Sequence, residues 1–320
     1  MKLGVLTVPF SALSLEDTLK KLSAWGVQAV ELGAGGYPGD AHLKPKELLP
    51  DDKKIAEVLD LLKKYNMVVS AISCHGNPVH PNKEKAKKFH DQFIDAVLLA
   101  EKMGVDTVVT FSGCPGDSEG AKYPNWVTCP WPEDFGTILE YQWNEVLIPY
   151  WKKTAEFAKS HNVNKIAFEM HPGFCVYNPE TLLKIREAVG DIIGANFDPS
   201  HLFWQGIDPV EAIRTLKGAI HHFHAKDTRI DDGNCAKNGV LDNKGYSDAL
   251  NRSWVFRTVG YGHSFEVWND IISMLKTTGY DGAISIEHED ILMSNEEGIV
   301  KAIEFLKKVI IFEQNNAMWW

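Results

Sequence analysis

Four residues with chemistry to offer each close an apolar run: Glu169 after Ile166-Ala167-Phe168, Asp198 after Ala195-Asn196-Phe197, His224 after Phe223, and Glu287 after Ile284-Ser285-Ile286. Three carboxylates and one imidazole brought together make a cage for a divalent cation. An oxygen-rich set with one nitrogen favours Mn²⁺, Mg²⁺ or Co²⁺ over a thiolate-bound structural zinc. Any one of the four alone reads equally well as an ordinary polar strand end. Four together point to a shared cation, because a carboxylate buried at the end of an apolar strand is costly without a partner.

Other reactive residues cluster near these in sequence. His201, three residues past Asp198, is placed to hydrogen-bond a substrate oxygen or shuttle a proton, or to pack as a helix-start residue. Lys226 shares the facing of His224 on a β-strand and suits a developing oxyanion, or an ion pair with Asp227 or Asp231. His75 and Asn77 follow the third β-rich run, where they meet substrate or cap the loop; Glu31 contacts substrate or supports His75. His171, His263, His288 and Glu289 are further candidates. Cys74 beside His75 does not make a nucleophile–base pair, because neighbours on a strand face opposite ways. Trp126, Trp131, Trp204 and Trp254 read as a sugar-stacking wall or as packing.

The elements that must position these residues alternate. β-rich runs fall at 3–8, 29–32, 68–73, 107–111, 165–170, 192–198, 219–226 and 283–287. Helical periodicity falls between them at 15–25, 53–65, 83–102, 141–161, 179–189, 210–216, 265–278 and 296–313. Strands alternating with helices imply parallel βαβ units, and eight of each imply a (β/α)8 TIM barrel, a single domain over 1–320. A doubly wound dinucleotide-binding sheet fits less well, since no GxGxxG follows the first run. The surplus length sits at 112–135 and 228–263, after strands 4 and 7, where long loops act as lids or substrate walls. In a barrel, strand C-termini converge on one mouth, which is where all four cage residues would meet.

Composition narrows the partners. Acids outnumber bases 43 to 33, a formal charge of −10, which argues against nucleic acid, whose phosphates call for clustered Lys and Arg. No run approaches 18 apolar residues, so no membrane span is expected. The opening residues Met1–Thr7 turn polar too soon for a signal peptide, and five cysteines without a CxxC pair suit a reduced compartment. A cytoplasmic enzyme is the expectation. The ending Met318-Trp319-Trp320 is unusually apolar for a terminus and is expected to dock on its own barrel or a second subunit.

The motifs Phe168-Glu169-Met170-His171-Pro172, Asn196-Phe197-Asp198-Pro199-Ser200-His201, His222-Phe223-His224-Ala225-Lys226-Asp227 and Ser285-Ile286-Glu287-His288-Glu289 resemble those of the xylose-isomerase-like TIM barrels. That superfamily includes sugar and sugar-phosphate isomerases, ketose 3-epimerases, inosose dehydratase and endonuclease IV. The resemblance extends through Ser73-Cys74-His75-Gly76-Asn77-Pro78 and Arg257-Thr258-Val259-Gly260-Tyr261-Gly262. It implies Glu169, Asp198, His224 and Glu287 as ligands of one divalent metal, Mn²⁺ ahead of Mg²⁺, Co²⁺ or Zn²⁺. It also implies Glu169 and Glu287 as the groups that move a proton next to a carbonyl, through an enediolate the metal stabilises. His201 joins them as a catalytic residue, and His75, Asn77, Lys226 and Arg257 as substrate contacts.

The expected function is therefore metal-dependent isomerisation or epimerisation of a sugar or keto-sugar. The alternative is β-elimination from a 3-keto glycoside, by a lyase that in some family members carries a small partner subunit. An abasic-site nuclease lacks support. Trp254 and Phe256 stand where its Asp-x-His ligands belong, and Thr110 or Ser112 where it needs a His. A non-catalytic sugar-binding module would not need an intact cage. The expected partners are a small sugar or glycoside and a second copy of the chain.

Overall fold

A computed structural model describes residues 1–314, so the terminal Met318-Trp319-Trp320 expectation lies outside the described residues. Eight parallel strands close a barrel: β1 (Lys2–Leu6), β2 (Ala29–Gly33), β3 (Val68–Ser73), β4 (Thr107–Thr110), β5 (Lys165–Glu169), β6 (Ile193–Phe197), β7 (Ile220–Ala225) and, last in the chain, β10 (Ala283–Ile286). β1 pairs with both β2 and β10, which seals the ring. Between β7 and β10 the chain adds an antiparallel hairpin outside the barrel, β8 (Asp227–Ile230) against β9 (Trp254–Arg257).

The strands are buried along most of their length, as parallel strands covered on both faces require. Helices pack their apolar faces on the outside. The helix Pro179–Val189 starts where Asn178 accepts the Thr181 N–H and Thr181 returns a bond to the Asn178 backbone. Its Pro179 stands at the first turn, where a missing N–H costs nothing. The predicted helix 141–161 is part of a longer rod, Asp134–Glu140, a wide π segment Tyr141–Leu147 and Ile148–Ser160. The final helix runs Asn295–Val309 and ends earlier than the expected 313, because Ile310 turns to an extended conformation. Among the described residues no helix is long and apolar enough to cross a membrane.

The barrel mouth carries the surplus chain. The loop after β4 brings Trp126, and the segment between β8 and β9 brings Leu241, Asp242, Asn243 and Tyr246, all to the same cavity as His171 just beyond β5. The expected long loop at 228–263 is thus partly a hairpin. Buried Asp227 pins it: Oδ2 accepts the backbone N–H of Gly260 (3.0 Å), Gly262 (3.2 Å) and His263 (3.0 Å) and the Trp268 indole N–H (3.1 Å). Gly262 permits this approach, since a Cβ there would lie 2.4 Å from the Thr228 carbonyl oxygen.

Candidate metal centre and its cavities

Glu169 is the last residue of β5, Asp198 follows β6, His224 lies in β7 and Glu287 follows β10. One donor atom from each lies within 4.8 Å of every other. Local structure aims each of them. Asp198 caps the short helix Pro199–Phe203, its Oδ1 accepting the Ser200 N–H at 2.8 Å. That leaves Oδ2 turned to the cage. His224 presents Nε2 to Glu31, 2.9 and 3.0 Å from its two oxygens, so Nδ1 faces the cage, 3.0 Å from Glu287 Oε2. Ser73 on neighbouring β3 and Ser285 on β10, two strands away, donate their hydroxyls to Glu31, Ser285 at 2.8 Å. Glu31 therefore supports His224 rather than His75. A carboxylate behind a ligating imidazole fixes its tautomer and raises its basicity.

Glu169 is held from three sides, by His201 Nε2 at 2.9 Å on Oε1 and by His75 Nε2 at 2.9 Å and the Asn196 amide at 3.3 Å on Oε2. Among the described residues Glu287 is engaged through Oε2 alone, by Lys226 at 2.7 Å and by His224. Lys226 also lies 3.0 Å from Asp198 Oδ2 and 3.1 Å from Glu289, instead of pairing with Asp227 or Asp231.

The electrostatics follow. Burial opposes the Lys226 ammonium, but Asp198, Glu287 and Glu289 outweigh it and raise its pKa well above the ordinary lysine value. Burial likewise opposes the His224 imidazolium, and Glu31 with Glu287 overrides it upward. Burial would raise Glu31, but the His224 and His222 rings bring it down to about 2. His171 goes the other way: burial, helped by the His201 ring, pushes it down to about 3. Its Nδ1–H donates to the Pro172 carbonyl at 2.6 Å, so the neutral ring keeps a lone pair on Nε2.

The donor set fits a divalent cation. Asp198 Oδ2 and His224 Nδ1 are both buried and neither has a hydrogen-bond partner among the described residues, although both lie within ion-pair range of opposite charge. A buried carboxylate oxygen and a ring nitrogen converging without partners are what a cation would satisfy.

A cavity of about 170 Å³ opens on the cage, walled by His75, Glu169, His171, Lys226, Glu287 and Glu289. Gly36 lets the β2 loop press on the backbone of His75, where a Cβ would fall 1.9 Å from the carbonyl oxygen. A neighbouring cavity of about 480 Å³ shares His171 and includes His201, Trp126, Trp204, Tyr246 and Trp254. A third, about 210 Å³, again shares His171 and joins Tyr246, Phe256 and Glu289.

The structure brings together Glu169, Asp198, His224, Glu287, His201, His75 and Lys226 as expected from sequence. Two expected substrate contacts go elsewhere. Asn77 is buried in the loop after β3, its amide donating to the Cys114 carbonyl (2.9 Å) and its oxygen accepting the Cys114 N–H (3.0 Å); it braces two loops and does not line the cage cavity. Arg257 spends Nε on Asp290 at 2.9 Å and lies over the Tyr261 ring, so it holds the loop after β9 rather than the cavity. His201, expected to touch substrate, is 1 % exposed and directs its Nε2 to Glu169 and, at 3.3 Å, to Asp198. His263 pairs with Asp227 and stacks on Phe203. Trp131 is exposed and does not line the cavity that Trp126, Trp204 and Trp254 share. The underrated residue is His171. Its place two beyond Glu169 gives it the same facing, a signal present in the sequence.

A fold of eight βα units whose strand ends carry a cluster that could hold a metal defines a class, and the comparisons agree. A family model described as the xylose isomerase-like TIM barrel matches residues 19–309, and the chain belongs to that family. An uncharacterized Bacillus subtilis protein, YfiH, is 42% identical over 312 residues, covering 97% of this chain and 99% of its own. The inosose dehydratase of Mesomycoplasma hyopneumoniae is 24% identical over 301 residues, 93% of this chain and 89% of the relative. Among solved structures, that of the IOLI protein with a bound zinc atom superposes with a TM-score of 0.65 at 18% identity, covering 97% of this chain and 98% of that one.

Proposed function

We propose that the chain is a divalent-metal-dependent enzyme that removes a proton next to the carbonyl of a keto-sugar or keto-cyclitol, and that isomerisation or epimerisation follows. One observation carries the reading: Asp198 Oδ2 and His224 Nδ1, buried and without a hydrogen bond among the described residues though each lies 3.0 Å from an opposite charge, converge with Glu169 and Glu287, and those two glutamates line a cavity. A metal held there by these four residues would act as a Lewis acid on the carbonyl oxygen.

The chain's own residues divide the remaining work. Glu287 is the base, because its Oε1 is uncommitted among the described residues and its side chain is 15 % exposed to the cavity. Glu169 has both oxygens occupied by His75, His201 and Asn196, so it serves as a fixed ligand. This asymmetry supports transfer by a single base, hence isomerisation, over a two-base epimerisation. Lys226 places its ammonium on the cage and lowers the cost of negative charge growing on substrate oxygen. His171 closes the cavity beside them.

A second reading, β-elimination, is supported by the inosose dehydratases that align with nearly the whole chain. The first proton transfer is the same, and a leaving group on the neighbouring carbon then departs with a proton from Lys226 or water.

The test is solvent-deuterium exchange into keto-sugars and keto-cyclitols by protein loaded with Mn²⁺, Mg²⁺, Co²⁺ or Zn²⁺. Exchange is expected, with an isomer as product for the first reading and release of water or aglycone for the second. Glu287→Gln should lower exchange about 10²- to 10⁴-fold while retaining metal. Glu169→Gln should lower it through loss of bound metal. Full exchange in Glu287→Gln would overturn the assignment of the base.

A further inference from the structure

Beneath the cage, the barrel interior holds a row of polar side chains where such barrels are usually filled by branched apolar ones. Asn196 of β6 and His222 of β7 are 0 % and 2 % exposed, and Ser70 of β3 is partly buried. We propose that these three form a one-way hydrogen-bond relay, Ser70 to His222 to Asn196 to Glu169, that holds Glu169 in its metal-binding pose. The proposal rests on the reading of Glu169 as a metal ligand.

The hydrogens have one consistent arrangement. An ionised carboxylate only accepts, so the Asn196 amide nitrogen, 3.3 Å from Glu169 Oε2, turns toward it and donates. That turns Asn196 Oδ1 to His222 Nδ1, 2.9 Å away, and an oxygen there calls for a proton on Nδ1. A neutral ring with that proton has its lone pair on Nε2. Ser70 Oγ, 3.1 Å from Nε2, therefore donates to the ring in preference to the Val30 carbonyl at 3.3 Å. Every donor in the row points toward Glu169.

The direction of the row is what matters to the cage. Without the Ser70 hydroxyl, nothing holds the His222 proton on Nδ1. With the proton on Nε2, the Nδ1 lone pair would face Asn196 Oδ1, and the amide would turn its oxygen on Glu169. Two like charges would then meet at the ligand, in an interior where such contacts are costly. Ser70 and His222 are 152 positions apart and on opposite sides of the ring, so the relay crosses the whole barrel. None of the three residues lines a cavity at the mouth, so they reach the cage through their neighbours and not through substrate. His222 also lies 3.8 Å from Glu31, so the test leaves it intact and substitutes Ser70 and Asn196 on either side.

The full chain is titrated with Mn²⁺ by calorimetry. Asn196→Leu, similar in size but without the amide, should weaken binding about 10- to 100-fold, as loss of a ligand's partner does. Ser70→Ala should weaken it about fivefold, the worth of one hydrogen bond. Added to Asn196→Leu, Ser70→Ala should cost nothing more, because the relay reaches Glu169 only through the amide. Thr110→Val removes another buried strand hydroxyl, one bonded to the Cys74 carbonyl, and should leave affinity unchanged. Parental affinity in Ser70→Ala, an additive loss in the double variant, or an equal loss in Thr110→Val overturns the relay. The His222 ring gives a second readout, which needs neither metal nor the Asn196 variant. In ¹⁵N-labelled protein it should carry a single N–H, on Nδ1, and Ser70→Ala should bring up an Nε2–H signal. A parental ring protonated on Nε2, alone or together with Nδ1, overturns the relay. If the parental protein binds no Mn²⁺, the cage reading fails and the ring readout alone decides the relay.

Discussion

At the scale of single residues, the centre is a set of side chains each with one end committed and the other free. Asp198 spends Oδ1 on its helix and His224 spends Nε2 on Glu31. The free ends then meet without any need for the loops to order first. Glu31 is a positioning residue in this scheme, and its contribution is measurable. Glu31→Gln keeps size and one hydrogen bond but removes the charge behind His224. Metal affinity, read by calorimetric titration, should fall about 10- to 100-fold with the melting transition still cooperative. Unchanged affinity would remove Glu31 from the metal's support. The four cage residues were legible in the sequence because all four end apolar runs, a recurrence that is costly unless the charges share a partner. Glu31 was visible as an acid near a strand end, but its partner was not: His224 is 193 positions away, and only barrel closure brings them together.

Elements set what the cage can reach. The eight strands were readable from alternating apolar runs, and their boundaries were right to within a few residues. The hairpin was not. β8 begins one residue past Lys226, so it reads as a tail of the strand before it. Its partner β9 is four residues long and separated from it by 23, too short and too distant for pairing to show in a pattern of period two. Nor does sequence reveal that Asp227 gathers four N–H donors from the segment and helix that follow the hairpin. Asp227→Ala leaves the buried Trp268 N–H and the part-buried N–H groups of Gly260, Gly262 and His263 without their acceptor. It should destabilise the protein by about 3–5 kcal/mol, the usual cost of breaking a buried charged network, and speed proteolysis within 228–263. A variant with the parental melting temperature and cleavage pattern would show that the hairpin is held by its β8–β9 pairing instead.

For the whole molecule, the centre is a concentration of charge at one end of a well-filled barrel. Glu169, held well below the usual carboxylate range by His201, His224 and His75 against the pull of burial, sits with Asp198, Glu287 and Glu289 around one ammonium. A cation that binds this arrangement and not the unfolded chain stabilises by mass action, about 4 kcal/mol at a thousand times its dissociation constant. At roughly 1.5 °C per kcal/mol for a chain of this size, chelator-treated protein should melt about 6 °C below metal-loaded protein and recover when Mn²⁺ is restored. Identical melting curves up to millimolar metal would argue that the cage binds no divalent cation in the folded protein. The −10 net charge readable from composition is thus partly a local property of the barrel mouth.

The hairpin stands outside the barrel's closed ring of strands and shares no ladder with it. Leu241, Asn243 and Tyr246, which wall the larger cavity at the mouth, lie on that appendage, while the residues that would act on the carbonyl lie on the strands. Segment 231–253 can therefore be exchanged for one of another length or composition without cutting a barrel strand. Mutation, in the laboratory or over generations, has a part of the protein on which to try new clients while the reactive core is inherited intact.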